Sequence, residues 1–415
     1  RAFLEWLEAR GVDTSRLAWP VRDARSGRAC YTTRFIAAGE PYLRVPEGLL
    51  MTPSKALESD LGPYAVEVGL RGDALLATFI LWELRKGEAS FWAAYLAMLP
   101  RTPSTICVWS PAELAELEDA ELEAKAAGRS RFVSDVYDRY FLRGLGVRYP
   151  EIFGSEWFDA DHFAFAWHVV QARAFGRKLR ETALVPWADC LNHGGDRHAD
   201  YDVVGGMFRL FPLRDVGPGV EALNSYGRKA PNAKLLLDYG FALGNNPADV
   251  VRLAVCLDDD DDGHRRKRKL LSHLDVPHFA YFSFRLGWPF LADPGNFNAI
   301  TLVRVAVADD ATLDVYEEDD GDSAHSPEAH GIKGDRPALD YVAARIKADL
   351  LPIINHRDPD EDADLERRLV AGHADAGGGV DASRHLFAVR YRATRARIVA
   401  AAYDLVLETI ADLDR

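Results

Sequence analysis

The apolar residues of this 415-residue chain follow two spacings, and each spacing covers its own stretches of sequence. Short β-like runs fill Tyr31 to Val45, Phe208 to Leu213 and Ala222 to Tyr226, and turn-forming residues punctuate the first of them. Helical spacing extends from Asp73 to about Phe158 and again from Asp159 to Leu179. The pattern therefore predicts a β-rich domain that is divided by a helical insertion.

The last part of the chain follows a helical pattern throughout. It begins past Asn246-Pro247 and ends in a long amphipathic segment from His385 to Leu413. An apolar stripe along one side of such a segment is typical of a helix that packs on a core. The sequence therefore predicts a separate helical region in the C-terminal half.

The charge balance restricts the kinds of partner. The chain has 50 basic and 64 acidic residues, a net charge of −14, which argues against nonspecific nucleic-acid binding and favours a cationic partner such as a lysine-bearing protein. One basic run, His264 to Lys269, follows the acidic run Asp258 to Asp262. Because neighbouring acids cancel much of the field of such a run, we predict a solvated loop there rather than a nucleic-acid or nuclear-localisation patch.

Composition also bears on membranes, metals and compartment. Apolar runs such as Leu75 to Leu84 are shorter than the ~20 residues of a membrane-spanning helix. The four cysteines form no CxxC pair, so we expect no metal site, no disulfide framework and a reducing intracellular compartment. Because the first residue is arginine, a targeting peptide would not be visible, and plastid, cytosol and nucleus stay open.

The segment from Ser225 to Phe241, SYGRKAPNAKLLLDYGF, contains two tyrosines that flank a short helical run. Asn232 is a suitable N-cap, and Gly240 lies where the end of a helix needs a residue that tolerates positive φ. The sequence therefore predicts that Tyr226 precedes this helix and that Tyr239 closes it.

A second segment, Leu184 to His193, reads LVPWADCLNH. Together the two segments resemble the SET-domain protein methyltransferases of the Rubisco large-subunit lysine methyltransferase-like family. The resemblance continues in Gly27 to Thr52, in Arg173-Ala174-Phe175 and in the helical C-terminal half. Any one of these segments would be a weak signal, but four in the right order are a strong one.

The resemblance implies an α+β fold in which a split SET-like β-rich domain with a helical insertion is followed by an all-α C-terminal domain. Residues 1–72 and 159–245 would form the two parts of the SET-like domain, the second with the cofactor and target-amine site. Residues 73–158 would be the insertion and residues 246–415 a substrate-binding domain. The segments of Leu184 to His193 and Tyr226 to Tyr239 would cross, with one threading past the other.

The activity implied is S-adenosyl-L-methionine-dependent protein-lysine N-methylation of a folded protein substrate, by a monomer. Methyl transfer is an in-line displacement, so the protein must position a neutral nitrogen rather than supply a covalent nucleophile. The resemblance assigns Tyr226 the orientation of the amine and the stabilisation of the transition state, and it places Tyr239 in the target-amine pocket. Taken alone, both tyrosines would be structural aromatics with satisfied hydroxyls.

Five residues in or near the two motifs are assigned to cofactor binding. In the matched motif Asn192 acts through its side chain and His193 through its backbone, so His193 is not assigned as a general base. Asp189 is expected to brace this turn. Arg173 would bind the cofactor's carboxylate, a contact suited to guanidinium. Tyr226 would adjoin the cofactor as well as the amine.

One further cofactor segment departs from the family pattern. Gly27-Arg28-Ala29 stands where the family has G-x-G, whose backbone approaches the methionine part of the cofactor. Alanine suits this position only if its φ is negative, so Ala29 puts the contact in doubt.

Two alternatives remain open. A protein-histidine N-methyltransferase is the nearest, although the related actin-histidine enzymes lack a tyrosine at the position that matches Tyr239. A noncatalytic SET-like protein-binding module is the other, motivated by Ala29. The sequence names neither the substrate nor the number of methyl groups added.

Overall fold

The computed structural model describes the chain except residues 24–26, 196–197, 228, 258–262, 288–293, 320, 326–334, 355–358 and 373–380. The chain packs into two compact units. The first comprises Arg1–Leu114 and Ala120–Ala242, and the second comprises Ala115–Asp119 and Leu243–Arg415. A five-residue segment from the first half of the chain thus packs with the C-terminal half.

The strands of the first unit form two small antiparallel sheets. The sheets are β1–β2 and β3–β5–β4, from β1 (Leu17–Asp23), β2 (Gly27–Thr32), β3 (Leu43–Pro46), β4 (Ala199–Val204) and β5 (Met207–Pro212). The central strand β5 pairs Leu210 with Leu43 on one side and with Tyr201 on the other. This sheet joins residues more than 150 positions apart in sequence, so the β-rich domain is split as predicted.

Helices make up most of the rest of the first unit. They are α1 (Ala2–Glu8), α2 (Pro53–Glu58), α3 (Gly62–Val68), α4 (Gly72–Arg85), α5 (Ala93–Leu96), α6 (Pro111–Ala115, whose last residue packs with the second unit), α7 (Ala120–Tyr137), α8 (Gly146–Arg148), α9 (Pro150–Phe153), α10 (Ala160–Arg173) and α11 (Asn232–Asp238). Helix α4 is buried from Ala74 to Glu83 and packs against α10. A helix that is buried on all sides belongs at the centre of a core, and α10 packs against this central helix.

The second unit is mainly helical. Its helices are α12 (His264–His273), α13 (Phe297–Val307), α14 (Asp310–Glu318), α15 (Asp322–His325), α16 (Arg336–Arg345), α17 (Leu351–Ile354), α18 (Pro359–Val370) and α19 (Ala382–Leu413). The amphipathic segment predicted at the C-terminus is helix α19. Its Arg392 binds Glu116 and Asp362 at 2.6 and 2.7 Å, which holds the 115–119 segment in this unit.

The predicted α+β class with a helical C-terminal region is confirmed, with one addition and two local corrections. The second unit is not all-α, because Val251–Cys256 (β6) and Phe279–Phe284 (β7) form a two-stranded antiparallel sheet. The basic run His264 to Lys269 is the start of helix α12 rather than a loop. Ala222 to Tyr226 contains one isolated bridge, at Asn224, instead of a regular strand.

Two charges of the basic run have partners in the folded chain. Lys267 is 5% exposed and donates to the carbonyl of Ala306 at 2.8 Å, while Arg266 pairs with Asp314 and Glu317. The neighbouring acids at 258–262, part of the same prediction, lie outside the described residues. Among the residues that are described, no helix is both long enough and apolar enough to cross a membrane.

Candidate active site

A cavity of about 450 Å³ in the first unit collects residues from the end of α10, from β4 and from the two motif segments. Its lining comprises Ala172, Arg173, Ala174, Phe175, Gly176, Arg177, Asp189, Ala199, Asp200, Tyr201, Asn224, Ser225, Tyr226, Gly227 and Tyr239. Four of the residues singled out in the sequence, namely Arg173, Asp189, Tyr226 and Tyr239, therefore share one cavity. The other five predicted site residues, Gly27, Arg28, Ala29, Asn192 and His193, do not line it.

The two tyrosines lie side by side at this cavity. Their ring centroids are 4.8 Å apart. The hydroxyl of Tyr226 donates to the carbonyl of Leu191 at 2.7 Å, and the hydroxyl of Tyr239 donates to the carbonyl of Tyr226 at 3.0 Å. Because each hydroxyl proton is directed at a main-chain oxygen, the lone pairs of both hydroxyl oxygens can accept hydrogen bonds from a ligand.

Burial keeps both hydroxyls protonated. It raises the pKa of Tyr226 well above its usual range and raises the pKa of Tyr239 to about 12. Desolvation has this effect because it disfavours the phenolate. At neutral pH the pair therefore offers neutral hydroxyls that orient a donor, and it does not offer a general base.

Helix α11 sets the position of Tyr239. Pro231 is its N-cap and Asn232 is the first helical residue, 0% exposed, so the predicted Asn232 cap is wrong by one position. Gly240 has φ +78° and donates to the carbonyls of Leu235 and Leu236, as predicted for the end of this helix. A Cβ on Gly240 would lie 2.1 Å from the carbonyl carbon of Ser104, so the backbone can pass here only as glycine.

Arg173 and Asp189 form an ion pair at the wall of the cavity. Nη1 of Arg173 donates to the main-chain oxygen of Asp189 at 3.0 Å and to its Oδ2 at 3.2 Å. Burial disfavours the guanidinium charge, but the carboxylate of Asp189 outweighs that effect and the pKa of Arg173 lies above its ordinary value. Arg173 thus enters the cavity as a fixed cation.

Asn192 and His193 connect the motifs behind the cavity. The side-chain amide of Asn192 donates to the carbonyl of Arg28 at 3.0 Å and to Glu221 at 2.8 Å. A parallel bridge pairs His193 with Asn224, just before the second motif segment. The predicted crossing of the two segments stays a prediction.

The ring of His193 has a contact that the sequence did not predict. Its Nδ1 accepts a hydrogen bond from the main-chain N–H of Tyr226 at 3.1 Å. Burial, with a smaller contribution from His198, lowers the pKa of His193 to about 4. The ring is therefore neutral at pH 7, as an acceptor at Nδ1 requires, and it supports the backbone that carries Tyr226.

The Gly27-Arg28-Ala29 segment forms part of β2 and pairs with β1. Ala29 is fully buried, and its φ is not positive. Alanine can therefore adopt the backbone conformation at this position. The contact from Asn192 to the carbonyl of Arg28 links this segment to the site. Its assignment to cofactor binding stays a prediction.

Tyr201 and the ion pairs of Asp200 at this cavity were not predicted from the sequence. Tyr201 lies on β4, 8% exposed, and packs edge-on against Phe175 with centroids 5.3 Å apart. Asp200 pairs with Arg177 at 3.0 Å and with Lys178 at 2.6 Å. Strand β4, which carries both residues, mixes acids with apolar residues, so its sequence does not indicate a strand clearly. Its pairing with β5 shows it to be one.

Comparison with known proteins identifies the class of this fold. No family model matches the chain. In structure it is similar to Rubisco LSMT bound to AdoMet, with a TM-score of 0.73 and 20% identity over 99% of this chain and 92% of that one. The fold is therefore that of the SET-domain methyltransferases.

Two sequence relatives indicate which of the SET-domain methyltransferases this chain resembles. The chain is 27% identical over 300 residues, 69% of its length, to the chloroplastic Rubisco large subunit N-methyltransferase of Nicotiana tabacum. It is 26% identical over 298 residues, again 69% of its length, to the actin-histidine N-methyltransferase of Xenopus tropicalis. The matches cover 60% and 50% of those relatives. In sequence and in fold, this chain is therefore similar to the SET-domain proteins of the Rubisco large-subunit methyltransferase-like family.

Proposed function

We propose that this chain is an S-adenosyl-L-methionine-dependent protein-lysine N-methyltransferase that acts on a folded protein. The observation that carries the proposal is the pair of neutral tyrosine hydroxyls, Tyr226 and Tyr239, beside the fixed cation of Arg173 in one cavity. The hydroxyls suit an amine that must be oriented, and the cation suits a carboxylate on the methyl donor.

The tyrosines would position the target amine. Their hydroxyl oxygens accept N–H bonds, and their ring faces favour a cation, so the pair can hold lysine as it arrives and as it leaves methylated. The cofactor would supply a methyl group on a sulfonium, which is electrophilic without a metal. The role of Tyr226 is to keep the nitrogen lone pair aligned, and its bond to Leu191 fixes the hydroxyl for that task.

The cofactor site would adjoin the tyrosines. The single-nitrogen contact of Arg173 with Asp189 leaves guanidinium donors to bind the cofactor's carboxylate. Asn192 and His193 would hold the adenine end, and Asp189 would brace the turn before them. Gly27, Arg28 and Ala29 would approach the methionine part through their backbone.

The rest of the chain would serve substrate recognition. We assign residues 246–415 to binding of the protein substrate, which bears the target lysine, and the net charge of −14 favours such a cationic partner. We propose a monomer in an intracellular compartment, and the plastid is favoured because the tobacco relative is a chloroplast protein.

Histidine is the second candidate target. It is favoured by the Xenopus tropicalis relative, whose identity to this chain is within one percentage point of that of the tobacco protein. The intact Tyr239 at the wall of the cavity favours lysine instead. The alternative of a noncatalytic module rested on alanine at position 29. Ala29 lies in strand β2 and its φ is not positive, so the backbone there does not require glycine.

Calorimetric titration with S-adenosyl-L-methionine, followed by transfer of a labelled methyl group to protein, tests the proposal. The expected result is one binding site per chain and label in an acid-stable protein fraction. Absence of cofactor binding would overturn the function, and binding without transfer to any protein in a cell lysate would favour the noncatalytic module.

A further inference from the structure

Besides Arg173, and Cys190 whose Sγ donates to Oδ1 at 3.8 Å, Asp189 has a side-chain partner that belongs to neither motif. The hydroxyl of Tyr95, on helix α5, donates to Oδ2 of Asp189 at 2.9 Å. Tyr95 is 1% exposed and the side chain of Asp189 is 0% exposed. Tyr95 does not line the cavity, and its hydroxyl is connected to the cavity through Asp189.

The geometry of the three side chains shows what this bond does. Tyr95 and Arg173 both donate to the same oxygen, Oδ2, and Arg173 uses Nη1 for this bond and for its bond to the main chain. Among the hydrogen bonds of the described residues, Nε and Nη2 of Arg173 make none. An arginine and a carboxylate that are free to turn prefer the stronger bidentate arrangement, which uses two guanidinium nitrogens.

We propose, on the basis of the function proposed above, that Tyr95 is a positioning residue for the cofactor: it holds the carboxylate of Asp189 so that Arg173 presents its unused donors to the cavity. Without the hydroxyl, the carboxylate can turn and take Arg173 as a bidentate pair. The guanidinium of Arg173 would then have fewer N–H groups available to bind the carboxylate of the cofactor. The remainder of the cavity would be unchanged.

The fixed position of Tyr95 supports this role. Its ring packs against Phe3, with centroids 6.0 Å apart, and the desolvation of its burial, together with the charge of Asp189, raises the pKa of Tyr95 well above its usual range. The hydroxyl therefore keeps its proton at neutral pH and remains a donor there.

The test compares two ligands that differ in the group Arg173 would bind. S-adenosylhomocysteine has the amino-acid carboxylate, whereas 5′-methylthioadenosine retains adenosine and sulfur but lacks it. For Tyr95→Phe we expect the Kd of S-adenosylhomocysteine to rise about three- to tenfold, the range that one ordinary hydrogen bond gives. The Kd of 5′-methylthioadenosine should stay unchanged. With active enzyme, KM for the cofactor should rise and kcat should not.

Three controls separate positioning from folding. Tyr137→Phe removes a hydroxyl that donates to the carbonyl of Phe158 at 3.0 Å, away from the cavity, and should change neither Kd. Tyr95→Phe in an Arg173→Ala background should cause no further loss of affinity. Asp189→Asn, which removes the charge that Tyr95 holds, should reproduce the ligand-selective loss and serves if Tyr95→Phe folds poorly.

Equal losses for both ligands, or no loss for either, would overturn the role of Tyr95 and leave the proposed function intact. If the wild-type protein bound neither ligand, the proposed function would fall and this proposal with it. The two failures are therefore distinguishable in one set of titrations.

Discussion

Replacing Tyr226 by phenylalanine removes one hydroxyl and keeps the ring that packs beside Tyr239. We expect the rate of methyl transfer to fall roughly 10²-fold or more, by analogy with the loss of one preorganised hydrogen-bonding group. That loss corresponds to about 2.7 kcal/mol in activation free energy. Cofactor binding should be retained, because the assigned carboxylate contact belongs to Arg173.

The same change also affects stability, and the two effects can be separated by size. Loss of the 2.7 Å bond to Leu191, which is fully buried, should cost about 1–3 kcal/mol of unfolding free energy. A domain with the usual 5–15 kcal/mol would then still be folded in all but a few per cent of molecules. Unfolding therefore cannot account for a hundredfold loss of rate.

The assay is single-turnover methyl transfer at saturating cofactor, with unfolding measured in denaturant. Tyr137→Phe is the matched control, because it also removes a tyrosine hydroxyl bound to a main-chain carbonyl, and it should keep the wild-type rate. A Tyr226→Phe variant with an unchanged single-turnover rate would remove this hydroxyl from the mechanism.

Three further predictions follow from the site. Arg173→Ala should raise KM for S-adenosyl-L-methionine more than it lowers kcat, since its contact exists equally in ground and transition states; steady-state kinetics showing only a lower kcat would contradict the carboxylate assignment. Gly240→Ala should destabilise the first unit by about 2–5 kcal/mol, because its Cβ would meet the backbone of Ser104 at 2.1 Å at positive φ. Gly39→Ala, with the same φ of +78° but open space, should cost only about 1–2 kcal/mol in the same denaturant titration, and equal costs would refute the steric argument. The single-turnover rate should rise from pH 7 to 9, because the target lysine loses its proton over this range. The site itself keeps one charge state there, since the pKa values of Tyr226 and Tyr239 are raised and the pKa of His193 is about 4. A flat profile would instead indicate a histidine target, which is already largely neutral at pH 7.

The parts of the site that sequence could predict are local ones. Helix α11 and its end at Gly240 follow from a short apolar run and one glycine. They place Tyr226 before the helix and Tyr239 at its C-terminal end. The resemblance to a known family then added Arg173 and Asp189 as residues of the same site. The structure brings all four to one cavity, although their roles there stay predictions.

The parts that sequence could not predict depend on pairing across long separations. Tyr201 reaches the cavity because β4 pairs with β5, and Tyr95 reaches Asp189 across 94 positions of sequence. Strand β6 did carry a sequence signal, since Val251, Leu253 and Val255 place a large apolar residue at every second position. We assigned the segment to the helical pattern around it and missed the strand. Lys267 was expected in a solvated loop, but it lies on α12 and donates to the carbonyl of Ala306, which is 39 positions away in sequence.

The most direct test of the account is the identity of the methylated amino acid. The wild-type protein and the Tyr226→Phe variant are each incubated with methyl-labelled S-adenosyl-L-methionine and a cell lysate. The labelled protein is located by mass spectrometry and hydrolysed to amino acids. The account predicts label in N-methyllysine with the wild-type protein and a loss of roughly 10²-fold with the variant. Label in methylhistidine, or equal labelling by the two proteins, would contradict it.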